Sequence, residues 1–213
     1  MAYDEHLLTL RQRLKTFAEL GCPVATTVLN PLSPLDQVEA LALARQRIAR
    51  LADTAADYGV RLAVEAVSVV DGLPPELDGP QPVAATLPAV AELLHESGTE
   101  NAAVLVDSFH WAVAGADPGH ITGLGTGGVG HLQVADIPHV GTPHGWTDGL
   151  RLFPGDGALN WSAFADALTQ VSYTGTASVE LFNPVLRALP EDEIAARSYH
   201  AATGCWTPEE TSR

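Results

Sequence analysis

Apolar positions recur at helical spacing near the start of the chain. Leu7, Leu10, Leu14 and Phe17 share one face of a helix predicted over residues 4–20, and Gly21 stops it. Residues 23–29 (PVATTVL) then form a short apolar run, the mark of a buried strand. Ser33, with Pro34 at the first helical position, predicts an N-cap. Val38, Leu41, Ile48, Leu51 and Ala55 carry the helix on to Tyr58, and Gly59 is its predicted C-cap. A strand over 61–67 (RLAVEAV), a Pro/Gly-rich loop over 71–82, a helix over 87–97 ended by Gly98, and an apolar run over 102–106 (AAVLV) follow. Beyond them the pattern predicts a weak helical turn near 117–124 and a strand over 129–135 (VGHLQVA). Next come a long loop over 136–157, a helix over 161–171, a strand over 176–182 and a helix over 190–203.

Near-continuous apolar strands alternating with helices imply a parallel sheet covered by helices. About five strands are expected, in a single domain over 1–213 with no internal linker or close repeat. A structureless loop as long as 136–157 points to function or disorder.

Charge narrows the partners. The formal net charge is −15 and Lys15 is the only lysine, so no basic stripe exists to neutralise nucleic-acid phosphates. No run approaches the roughly 18 apolar residues of a membrane span. The acidic start, Met-Ala-Tyr-Asp-Glu-His, enters a helical pattern at once, unlike a signal peptide. Two cysteines, Cys22 and Cys205, form no disulfide framework and suit a reducing cytoplasm; they read as buried small apolar residues.

Four strands end in a polar residue that an apolar core would not select: Glu65, Asp107, Gln133 and Glu180. Taken singly, each reads as a satisfied strand-end residue. Taken together, they meet at the C-terminal ends of parallel strands, where α/β sheets and barrels place their sites. Buried carboxylates pointing at one place need a cation or protons, and four oxygen donors suit a hard divalent ion.

The segments around these residues are Asp107-Ser-Phe-His110, His131-Leu-Gln-Val-Ala-Asp136, Arg151-Leu-Phe-Pro-Gly-Asp-Gly157 and Val179-Glu-Leu-Phe-Asn183. With Val64-Glu65 they resemble, in order and spacing, the second half of the xylose-isomerase-like TIM barrels, the sugar phosphate isomerases and epimerases. The resemblance implies an incomplete (β/α) barrel of about five parallel strands with surrounding helices. The strand 23–29 corresponds to the fourth of eight. The absence of three earlier strands fits a natural short form, a mis-assigned gene start or a fragment. An open sheet of this kind would expose two edges, so a homo-oligomer is expected.

By resemblance, Glu65, Asp107, Gln133 and Glu180 hold one divalent cation, Mg²⁺ or Mn²⁺, with Co²⁺ and Zn²⁺ as alternatives. Glu65 and Glu180 also face each other across the substrate as acid and base. His110 contacts a substrate oxygen, and Arg151 holds a substrate hydroxyl, carboxylate or phosphate. Gln133 stands where His is commoner in the family, and is similar to the hydroxypyruvate isomerase and 3-dehydroshikimate dehydratase branches. His131, on the same strand face by period-2 alternation, is the rival ligand or a partner to it.

The implied activity is metal-dependent isomerisation or epimerisation of a small sugar, sugar phosphate or keto-acid. It proceeds by proton abstraction next to a carbonyl through a metal-stabilised enediolate. A dehydratase-like lyase and a non-catalytic barrel remnant are the alternatives. Weaker signals fall away. Gly123-Leu-Gly125-Thr-Gly127-Gly128 precedes a strand, the wrong context for a dinucleotide loop. Asn160-Trp-Ser162 fits a glycosylation sequon without any sign of secretion.

Overall fold

A computed structural model describes residues 2–69 and 81–205, so the predicted loop 71–82 lies outside it except for its last two residues. Helix α1 (Ala2–Glu19) ends at Gly21, whose φ of +70° suits glycine. Strand β1 (Val24–Leu29) follows, then a two-residue strand β2 (Leu32–Ser33) and helix α2 (Gln37–Ala56). Strand β3 (Arg61–Ala66), a second two-residue strand β4 (Gln81–Pro82) and helix α3 (Leu87–Ser97) come next. Strand β5 (Ala102–Asp107) runs directly into helix α4 (Ser108–Val113). Helix α5 (Pro118–Thr122), strand β6 (Val129–Val134), helix α6 (Trp161–Gln170), strand β7 (Ala177–Val179) and helix α7 (Glu191–Cys205) complete the order.

Five strands form one sheet in the order β1-β3-β5-β6-β7, every neighbouring pair parallel. With its helices it is a half-barrel. β1 and β7 stand at its two ends and do not pair. Alternation along the strands divides the side chains between two faces. Leu62, Val64, Ala66, Val104, Val106, Leu132 and Val134 pack with the helices in the main core. Glu65, Leu105, Asp107, His131 and Gln133 take the other, concave face. There Val28, the register partner of Glu65, is 61% exposed. Among the described residues, no helix is long and apolar enough to cross a membrane.

Several boundaries differ from expectation. α2 is capped by Asp36, whose carboxylate accepts from Glu39 N at 3.0 Å, and not by Ser33. Ser33 instead joins β2 and accepts from Leu35 N, because β2 pairs antiparallel with β4 and draws those residues into extended form. The last strand is three residues long where seven were expected, and α4 was not foreseen. The long loop is ordered by turns of 3₁₀ helix at Pro143–Gly145 and Asp148–Leu150 and by an isolated bridge between Asp136 and Leu152. Asn160, the sequon residue, is the N-cap of α6. Cys22 and Cys205 are free and only partly buried.

Candidate active site

Asp107 organises the site because it ends β5 and begins α4 together. Its Oδ1 accepts from the amides of Phe109 at 2.7 Å and His110 at 2.9 Å, the satisfied start of a helix. That cap fixes the spacing in Asp-Ser-Phe-His, and the first turn carries His110 back over the strand ends. One donor atom each from Glu65, Asp107 and His110 lies within 4.8 Å of the others, all three residues being buried. His110 Nε2 stands 3.6 Å from Glu65 Oε1.

The other side is closed by β6 and β7. Gln133 pairs in register with Asp107, and its Nε2 donates to Glu180 Oε1 at 2.8 Å. Gln133 Oε1 is buried with no hydrogen-bond partner, as is His110 Nδ1. His131 lies one pleat earlier on the same face and points elsewhere. Its Nε2 is 3.0 Å from Ser178 Oγ and its Nδ1 3.5 Å from Thr176 Oγ1. Burial pushes its pKa below the usual value. The structure therefore gathers Gln133, and not His131, with the carboxylates.

Arg151 is fully enclosed, at 0% exposure, with its guanidinium among the strand-end acids. Its Nη1 donates to Asp107 Oδ2 at 2.6 Å and lies 3.5 Å from Glu180 Oε2. Its Nε donates to Asp148 Oδ1 at 2.8 Å, and its Nη2 is 3.2 Å from His110 Nε2. The guanidinium carbon lies over the Phe109 ring, 4.8 Å from its centre, and 5.5 Å from that of the half-exposed Phe182. The planar fork is thus turned onto the protein's own acids. A guanidinium nitrogen only donates, so His110 Nε2 must be the accepting nitrogen of a neutral ring.

Four acids face one guanidinium, and their protonation follows. Burial, with the charges of Asp107 and Glu180, pushes the Glu65 carboxyl up to about 8. Burial and Asp107 push Glu180 up to about 7, against the opposing pull of Arg151. Burial would raise Asp107 as well, but the Arg151 guanidinium holds it below the usual carboxylate range. Burial lowers the His110 pKa, in keeping with the neutral ring. Two carboxyls held near or above neutrality, one orphaned amide oxygen and one imidazole make a donor set that fits a divalent cation.

Phe109 and Asp136 were not foreseen as members of this region. Asp136 did carry a signal, since it is the acid that closes the segment His131-Leu-Gln-Val-Ala-Asp136. Trp111 packs in the core against Phe164 at 5.2 Å and does not wall the site. A cavity of about 670 Å³ lies along β1 and α2, lined by Leu29, Leu43, Ile48 and Leu51. It contains no carboxylate and is not the site.

A parallel (β/α) sheet with its acids at the C-terminal strand ends is how TIM barrels build their sites. The family model described as the xylose isomerase-like TIM barrel matches residues 2–201, and the chain belongs to that family. It is 25% identical over 204 residues to an inosose isomerase of Halalkalibacterium halodurans, covering 90% of this chain and 64% of that protein. It is 30% identical over 112 residues to a 3-dehydroshikimate dehydratase of Pseudomonas putida, covering 52% of this chain and 18% of that protein. Its fold superposes on the crystal structure of IolI protein with a bound zinc atom at a TM-score of 0.81. That match has 22% identity and covers 96% of this chain and 70% of that one. The chain thus spans less than two thirds of the length of either curated relative.

Proposed function

We propose that this chain carries the site of a divalent-metal-dependent isomerase or epimerase acting on a small sugar, sugar phosphate or keto-acid. The observation that carries the reading is the pair Glu65 and Glu180, placed on either side of Asp107 with both carboxyls raised toward neutral pH. Such a reaction needs one group that holds a proton and one that takes a proton, both near the working pH. With the cation bound both carboxyls would be ionised, so Glu180 would take the substrate proton as the base and, now protonated, return it as the acid, with Glu65 standing opposite as the second base. Transfer of a proton to the neighbouring carbon isomerises the substrate, and return to the opposite face epimerises it.

Glu65, Asp107, Gln133 and Glu180 are the proposed holders of the cation, with His110 beside them. A bound divalent cation would supply electrostatic stabilisation to negative charge developing on a substrate carbonyl oxygen. Gln133, through its bond to Glu180, orients that carboxylate. His110, neutral and partly free at Nδ1, is placed to donate to a substrate oxygen. Arg151 fixes Asp107 and Glu180 in position and keeps the cluster from becoming fully anionic.

A lyase is the second reading, favoured by the dehydratase relative. It shares the α-proton abstraction and expels a β-hydroxyl. Both are tested by incubating protein and Mn²⁺ in D₂O with a panel of ketoses, inososes and 3-dehydroshikimate. Deuterium at the carbon next to the carbonyl without loss of water is the expected result, abolished in Glu180→Gln. Loss of water selects the lyase. No exchange with any substrate, in protein that binds the metal, refutes both.

A further inference from the structure

Asp136 is 0% exposed, and its carboxylate is filled by four N–H groups. Oδ1 accepts from Ile137 N at 2.8 Å and Leu159 N at 2.9 Å. Oδ2 accepts from Gly155 N and Trp161 Nε1, both at 2.8 Å. Three of these donors lie 19 to 25 residues further along the chain, so one carboxylate ties the start of the long loop to its end. The backbone of Asp136 adds a reciprocal bridge to Leu152, N to O at 2.9 Å and 3.0 Å in the two directions. Leu152 is the residue after Arg151.

We propose that Asp136 is a positioning residue that delivers Arg151 to the acidic cluster. The carboxylate gathers the returning chain, the bridge fixes Leu152 beside β6, and the adjoining Arg151 side chain is thereby aimed at Asp107, Asp148 and Glu180. Two glycines make the approach feasible. Gly155 has a φ of +89°, and a Cβ at Gly157 would stand 2.1 Å from Ile137 O and 2.5 Å from Asp136 Oδ1. On the far side Asn183 Nδ2 donates to Arg151 O at 3.1 Å, so the Arg151 backbone is held from both β6 and the chain beyond β7. Asp136 touches no member of the cluster and acts only through this path. The inference rests on the proposed site only in counting Arg151 as a member of it.

The test is Asp136→Asn. Whichever way the amide turns, its NH₂ faces two of the four N–H donors, so half the bonds are replaced by donor against donor. Hydrogen exchange of the Arg151 Nε–H is read by NMR in the intact chain without metal or substrate, the signal being assigned by its loss in Arg151→Lys. The expected result is exchange about tenfold faster at Arg151 Nε, with the amides of Leu105 and Val106 in β5 changed less than about twofold. Unchanged Arg151 exchange overturns the proposal, and so does equal loss at Arg151 and β5, which would make Asp136 a general structural residue. Should Asp136→Asn fail to fold, Trp161→Phe removes one of the four donors. It is expected to speed Arg151 exchange about threefold with β5 unchanged, and no effect overturns the proposal. Because neither metal nor substrate is present, failure here leaves the proposed chemistry standing, and failure of that chemistry leaves this result standing.

Discussion

Replacing Glu65 by Gln is expected to stabilise the metal-free protein at alkaline pH. The folded-state carboxyl titrates near 8 because it is buried beside Asp107 and Glu180, against an ordinary value of 4.5 in the unfolded chain. Below pH 4.5 the group is protonated in both states, and its neutral form is stable in the site. Between pH 4.5 and about 8 the folded chain keeps a proton that the unfolded chain has released. Each pH unit in that window therefore lowers stability by about 1.4 kcal/mol. Over the full window the loss approaches an upper bound of about 5 kcal/mol. Gln resembles the protonated carboxyl in shape and never ionises, so the substitution removes this slope. Glu180 contributes a slope of the same sign to both proteins, so most of its effect drops out of the difference. Urea unfolding in excess chelator from pH 5 to pH 9 measures it. The two proteins should agree within about 1 kcal/mol near pH 5, and the variant should lead by about 2–5 kcal/mol at pH 9. Parallel pH profiles, or a variant less stable than the parent at pH 9, would refute a buried, neutral Glu65.

Three further outcomes follow from the same geometry. Binding of Mn²⁺ at pH 7 should release roughly one to one and a half protons, since Glu65 and Glu180 must both ionise; release should vanish near pH 9. Calorimetry in buffers of different ionisation heat reads this, and proton-neutral binding at pH 7 would contradict the assigned ligands. Arg151→Lys keeps the charge but cannot hold Asp107 and Asp148 together, so a loss of about 2–3 kcal/mol in urea unfolding is expected, and no loss would mean the buried fork is unimportant. With β1 and β7 as open edges and Val28 exposed on the concave face, sedimentation should show self-association at micromolar concentration; a stable monomer would count against it.

The strands and the polar groups at their ends were readable because the signal is local. A carboxylate closing a run such as RLAV or AAVLV interrupts a near-continuous apolar stretch, and a parallel sheet then places every such break at one end. Period-2 alternation could not separate Gln133 from His131, since both lie on the same face two residues apart; the family resemblance put Gln133 first, and the geometry gathers Gln133 with the carboxylates. The half-barrel's five parallel strands were legible for the same reason, while β2 and β4, two residues each, are too short to have a period. Helix α4 was hidden because its six residues are set by the Asp107 cap and not by an amphipathic repeat.

What the chain concealed most fully was the burial of Arg151, and the cause is physical. An arginine in a Gly- and Pro-rich loop has no periodic context, so its surroundings depend on contacts made elsewhere in the sequence. Its shortest bond, to Asp107, spans 44 residues. Enclosing a guanidinium is unfavourable unless acids are waiting to receive it, and the acids are unfavourable together without a cation. Each half of the cluster therefore makes sense only in the presence of the other. The piece that brings them together is Asp136, whose carboxylate accepts from four neutral N–H groups of the long loop and the start of α6. A site legible as four strand ends is thus completed by a fifth carboxylate that never enters it.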